Sequence, residues 1–240
     1  MGSRLSSDPA VPAHLRPSAP TAAAAILCGD PARALAIAQR VLVKPRMSNH
    51  HRGLWGYHGQ TPAGLELTVQ TTGIGGPSAA VVVGELATLG LRRAIRVGTC
   101  SARGTAPGLG STLIVEAAIA CDGTSRSLGF APGAVIQPDP WLTGELLRRN
   151  GSPPFAVRSH DIHGADVPAR QPPTSITTEE DPPPVADLQT AALFALARRS
   201  GIQIAATLAV AHSDGRRLED EPLERALLTL ADASVGALSA

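Results

Sequence analysis

A single α/β domain, its sheet covered by helices on both faces, is what this sequence predicts. Three observations predict it. From residue 21 onward, apolar runs of strand length alternate with longer stretches of helical spacing. Short glycine turns separate the two kinds of segment. The chain has 240 residues with 43% hydrophobic content, enough for one substantial core and for two domains at most.

The elements follow in order. Residues 1–20 are rich in Pro and Ser and lack the apolar centre of a signal peptide, so they read as an irregular tail ahead of a domain spanning 21–240. "AAAAILCGDP" is a strand ending in a Gly-Asp-Pro turn, and residues 31–42 form a helix with Asp30 as N-cap and Pro31 at its first position. "GLWGYHG" and "LELTVQTTG" are strands joined through "QTPAG". Pro77 opens a helix that Gly90 closes. "RAIRVGTC" and "STLIVEAAIACDG" are strands, "PWLTGELLRRNG" a helix, and "FAVRSHDIHG" a strand with its exit loop. Residues 164–184, Pro-rich and polar, form a long loop of the kind that serves as a lid. A long amphipathic helix over 185–201, a strand over 202–213 and a final helix over 221–240 complete the chain.

Composition narrows the function. A net charge of +1 supplies no large electrostatic attraction to nucleic acid or to a membrane surface. No run of about 18 apolar residues is present to span a bilayer. Cys28, Cys100 and Cys121 have apolar neighbours and no zinc-like spacing, which suits reduced thiols in a cytoplasmic protein.

Five polar features share one place, the C-terminal end of a strand: "CGDPAR", "TTGIGGPS", "RVGTCSARG", "SHD" and "AHSDG". Ligand sites of open α/β sheets form at such ends. "GIGGPS" falls short of a dinucleotide fingerprint, and no acidic residue follows at the distance that would hold a ribose. Arg96 lies inside an apolar run and needs an anion or an ion-pair partner.

The order "GDPAR … NHHRGLWGYHG … TTGIGGPSAA … ELATLG … IRVGTCSA … DLQTAALFALA" resembles the nucleoside phosphorylase family, which includes hexameric bacterial purine nucleoside phosphorylases and uridine phosphorylases. The resemblance implies a mixed central β-sheet flanked by helices on both faces. It also implies cleavage of a nucleoside by phosphate to a free base and a (deoxy)ribose 1-phosphate. No metal or organic cofactor is implied, only inorganic phosphate as co-substrate. Phosphate would be held by Gly29, Arg33, Arg96 and Thr99, whose forked guanidinium groups, backbone amide and hydroxyl match its oxygens. Arg52 would come from a neighbouring subunit, and so would His14 toward the ribose unless it is a solvated tail residue. Those borrowed residues make a homodimer the minimal active unit, with a homohexamer the usual assembly.

The resemblance places Asp187, Leu188 and Gln189 at the ribose, where the family has Glu-Met-Glu. An amide has one acceptor where a carboxylate has only acceptors, so Gln189 implies weaker sugar recognition and a gain on Gln189→Glu. Alternatively, Gln189 is matched to an unusual sugar, or to a site that Asp187 completes. The base would be met by Ser159, Asp161 and His163, with His212 or Asp214 as the general acid. Two other functions fit the sequence: a nucleosidase that uses water, and a non-catalytic nucleoside- or phosphate-binding homologue. Neither the base nor the sugar is specified.

Overall fold

Asp30 and Pro31 act as their sequence requires. In the structure, a computed structural model that describes residues 12–103, 107–161 and 185–240, strand β1 (Ala24–Cys28) runs into helix α1 (Pro31–Val41). The Asp30 side chain accepts from the Arg33 N–H at 2.9 Å, and Pro31 occupies the first turn where no donor is needed. Asp139 and Pro140 start helix α4 (Pro140–Asn150) in the same way.

The remaining described elements are β2 (Val43–Asn49), β3 (Gly56–Gln60), β4 (Glu66–Thr71), α2 (Gly75–Thr88), β5 (Arg93–Ala102), β6 (Thr112–Cys121), α3 (Gly123–Ser127), β7 (Val135–Ile136), β8 (Pro154–His160), β9 (Val185–Asp187), α5 (Thr190–Ser200), β10 (Gln203–Ser213), β11 (Arg216–Arg217) and α6 (Asp220–Leu238). Among the described residues all eleven strands belong to one mixed sheet in which β4, β1, β5 and β10 lie parallel and side by side. β10 also pairs with β6, β6 with β8, β8 with β9, and β9 with β5. These five strands therefore close a circuit, which brings the ends of β5, β8, β9 and β10 together.

The sheet has an apolar cluster on each face. Ala25 and Leu27 of β1 pack on the side of α2 and α5, while Ala24, Ile26 and Cys28 pack on the side of α1, α4 and α6. Alternation along β5 sends Ile95 and Val97 to the second face and Ala94 and Cys100 to the first. Arg96 therefore points toward α5.

Five segments differ from the sequence-based expectation. Residues 43–49 form β2, an exposed strand pairing only with β3, and its Lys44-Pro45 pair gives no apolar alternation to read. α3 and β7 are too short for periodicity. The predicted helix over 185–201 begins only at Thr190, because Val185 and Ala186 pair with β5 and Ala186 and Asp187 with β8. "HSDGRR" is a tight hairpin between β10 and β11, with Asp214 at φ 47° and Gly215 at φ 76°, as a two-residue Asp-Gly turn demands. The expected long loop over 164–184 lies outside the described residues.

Residues 12–20 contain no helix or strand, yet they are held against the domain. The Glu85 carboxylate accepts from the backbone N–H groups of Ala13, His14 and Leu15, and Leu15 is buried in the apolar cluster beside α2. Among the described residues no helix is long and apolar enough to cross a membrane.

Candidate active site

β5 delivers Arg96 to the middle of a buried polar cluster, 4% exposed. Its Nη2 donates to Asp187 Oδ2 at 3.0 Å, its Nη1 to Gln189 Oε1 at 2.7 Å, and its Nε to Thr190 Oγ1 at 3.2 Å. Gly98, two residues along the same face, makes room for it. A Cβ at position 98 would stand 2.6 Å from Arg96 Cζ. The glycine that ends the apolar run is thus the floor under the guanidinium.

Asp187 has no idle oxygen. Oδ1 accepts from the Ser159 hydroxyl at 2.6 Å, and Oδ2 from Arg96 and, at 2.6 Å, from the Thr190 hydroxyl. The Thr190 N–H, the first of α5, also points at this carboxylate, at 3.1 Å from Oδ2. Asp187 thus caps the helix from three residues before its first turn, while the capping position itself falls on Gln189. The Ser159 hydroxyl in turn accepts from the Ala191 N–H at 2.8 Å.

Gln189 spans the cluster. Its Oε1 accepts from Arg96 and lies 3.1 Å from the Thr72 hydroxyl, while its Nε2 donates to the carbonyls of Gly73 at 2.6 Å and Gly75 at 3.3 Å. Both glycines have left-handed φ, 74° and 80°, which turns their carbonyls toward the amide. Oε1 also stands 4.0 Å from where a Cβ on Gly29 would be. One side chain therefore joins the turns that follow β1 and β4, and Arg96 within β5, to the start of α5.

The other expected residues fall as follows. Arg33 lies on the first turn of α1, and both it and Arg96 are near enough to Cys28 to favour its thiolate, although burial dominates and pushes that thiol up to about 12. Gly29 and Arg33 thus flank the turn between β1 and α1, and Arg96 lies in register with Leu27 near the end of β1. Thr99 is half-buried and pairs with Ala209, and alternation sends its side chain to the face opposite Arg96. Arg52 is exposed on a single 3₁₀ turn with φ 58°. His14 places Nδ1 2.7 Å from Glu85 Oε1, within its own chain, and its carbonyl faces the His51 ring at 3.0 Å. Leu188 is half-buried in the bend between β9 and α5. Asp161 is exposed and accepts from the Gly123 N–H at 2.7 Å, and His163 lies outside the described residues. His212 is half-buried at the end of β10, in register with Ser101 of β5, whereas Asp214 is exposed at the hairpin tip.

Three participants escaped the sequence reading: Thr72, Thr190 and His160. Thr72 was visible as part of "TTGIGGPS", but nothing local marks its contact with a residue 117 positions away. His160 is half-buried near Arg158, Arg103, Asp187 and Asp122. Burial foremost, then the two arginines, hold its pKa below the ordinary value of 6.5. Among the described residues no group of three or more His, Cys, Asp or Glu is placed to hold a metal ion.

Residues 23–237 match the family model described as the phosphorylase superfamily. A DeoD-type purine nucleoside phosphorylase from Bacillus cereus is 30% identical over 191 residues, covering 77% of this chain and 79% of that protein. A DeoD-type purine nucleoside phosphorylase from Oceanobacillus iheyensis is 45% identical over 78 residues, and a uridine phosphorylase from Salmonella typhimurium 39% identical over 108. These two matches cover 32% and 45% of this chain, and they span only 33% and 41% of those relatives. A crystallised uridine phosphorylase from Vibrio fischeri ES114, complexed with 6-hydroxy-1-naphthoic acid, superposes with a TM-score of 0.73 over 91% of this chain and 90% of that one, at 24% identity. That likeness is one of fold.

Proposed function

This chain belongs to the phosphorylase superfamily, and from that membership we propose that it cleaves a nucleoside with inorganic phosphate. A phosphate oxygen attacks C1′, the glycosidic C–N bond breaks, and its electron pair leaves with the base, which takes up a proton. The products are a free base and a ribose or deoxyribose 1-phosphate. The observation that carries this reading is the buried Arg96 guanidinium beside the Gly29 turn, with Arg33 on the helix start that follows. Two features there favour an anion: forked guanidinium donors and a glycine backbone beside them.

Within this reading Gly29, Arg33 and Arg96 hold phosphate, while Thr99, whose side chain is on the face opposite Arg96, does not reach it. Arg52 and His14 are supplied across a subunit interface, which makes the homodimer the smallest active unit and a homohexamer the proposed assembly. Gln189 and Leu188 meet the sugar. Asp187 and Ser159 act indirectly, since their polar atoms are used on Arg96, on each other and on the first turn of α5. Asp161 and His163 border the base. Of the two proton donors, the half-buried strand-end position favours His212, because Asp214 sits at an exposed hairpin tip. No cofactor beyond phosphate enters the scheme, and the cytoplasm is the proposed compartment.

One observation favours a second reading. Three nitrogens of Arg96 already have partners, which suits a site that works on water or only binds. Base release from a panel of ribo- and deoxyribonucleosides, with and without phosphate, separates the readings. Phosphorolysis predicts release that depends on phosphate and is lost in Arg96→Ala. Release that ignores phosphate identifies a nucleosidase, and no release in any condition identifies a binding homologue.

A further inference from the structure

The partners of Arg96 are unequal competitors for its donors. Asp187 is charged and locked by the Ser159 and Thr190 hydroxyls, so it is not easily displaced. Gln189 is neutral, and its Oε1 sits where the cation, the Thr72 hydroxyl and the Gly29 turn converge. That point is where an oxygen of a bound anion would have to stand. Phosphate offers the Arg96 guanidinium a charged acceptor and a full ion pair, which a neutral amide oxygen cannot match. An arriving phosphate therefore displaces the amide and leaves the carboxylate.

We propose that Gln189 is a gate on the anion site. Its carboxamide oxygen holds Arg96 in place of phosphate, and it must be lifted off before phosphate binds. The proposal rests on the phosphate reading of this site. It accounts for a buried guanidinium that is satisfied by its own chain yet lies beside an approachable glycine turn. It also accounts for an amide here: Nε2 anchors to two carbonyls, while Oε1 supplies a replaceable, uncharged acceptor. The resident acceptor lowers phosphate affinity by whatever it costs to lift it.

The test is calorimetric titration of the full chain with inorganic phosphate, in a buffer free of other oxyanions. Gln189→Met fills the same volume without an acceptor, so it should bind phosphate about tenfold tighter than the unaltered protein, ~1.4 kcal/mol. Gln189→Glu puts a charged competitor on Arg96 and should bind more weakly. Arg96→Ala should not bind. Binding that is unchanged or weaker in Gln189→Met, while Arg96→Ala loses it, overturns the gate and keeps the phosphate site. Binding in Arg96→Ala equal to the unaltered protein, or none in any variant, overturns the phosphate site and the gate with it. If the methionine variant does not fold, Thr72→Val removes the second donor on Oε1 and carries the same test: tighter binding supports the gate, unchanged or weaker binding overturns it.

Discussion

A carboxylate at position 189 would turn an oxygen toward the carbonyls of Gly73 and Gly75, where Gln189 now donates. Two attractive contacts become repulsive, and the gain of a second ion pair on Arg96 is bounded because Asp187 already neutralises it. Gln189→Glu should therefore lower stability by about 1–3 kcal/mol, the cost of leaving buried polar groups unmatched. It should also reduce kcat/KM on ribonucleosides rather than raise it. Denaturant midpoints and kinetics at saturating phosphate check this, and a riboside gain without loss of stability contradicts it. Gly98→Ala makes a sharper claim. The new methyl would stand 2.6 Å from Arg96 Cζ, so the guanidinium must move, and Arg96-dependent phosphate binding should be lost even if the protein stays folded. Phosphate titration of a folded Gly98→Ala protein tests it. The sequence made Arg96, Asp187 and Gln189 visible as polar residues at strand and helix ends. It did not show that they touch, because Arg96 meets its partners 91 to 94 positions away and long-range contacts leave no local pattern.

At the level of elements, helices were legible where caps marked them, as Asp30-Pro31 and Asp139-Pro140 do. The start of α5 was not legible. Val185–Asp187 carry an apolar-polar rhythm that suits a helix turn or a strand, and pairing with β5 and β8 decides for the strand. The attachment of residues 13–15 was equally hidden, since it depends on one carboxylate in α2. Burial alone would raise the Glu85 pKa, but the N–H groups of Leu15, His14 and Ala13 and the His14 ring hold it below its ordinary value. Its contribution is present above the unfolded carboxylate pKa and is lost as pH falls through the lower folded value. Glu85→Ala should free this segment, costing about 1–3 kcal/mol and exposing it to limited proteolysis. If the segment stays protected, its anchor lies elsewhere, in Leu15 or in the bond from the Arg16 N–H to Asn49 Oδ1.

For the whole molecule, the fold class was readable because alternation of apolar runs and helical periods survives any detail of pairing. The closed circuit of β5, β10, β6, β8 and β9 was not, since it depends on which edges meet. That closure places half-buried His160 near two arginines and two carboxylates. Its pKa is depressed, so the fold favours the neutral ring. The stability this adds is full above the unfolded value of about 6.5 and is lost as pH falls from there through the lower folded value. His160→Gln should flatten the stability-against-pH curve below about pH 6.5, as read by melting temperature, and an unchanged curve would remove His160 as the group responsible. Assembly offers a test on the same scale. If Arg52 serves a neighbouring site, mixing Arg52→Ala with Arg96→Ala subunits should restore part of the lost activity, since one site of a mixed dimer regains both arginines. A fully active monomer in light scattering would argue against the shared site.

In the proposed reaction phosphate, not water, attacks the sugar. Phosphorus NMR of the chain incubated with a nucleoside and inorganic phosphate tests it most directly. Phosphorolysis requires a new sugar 1-phosphate signal that grows as free base appears, mole for mole, and that is absent with Arg96→Ala. Free base accompanied by unphosphorylated sugar, with the phosphate signal unchanged, would contradict it.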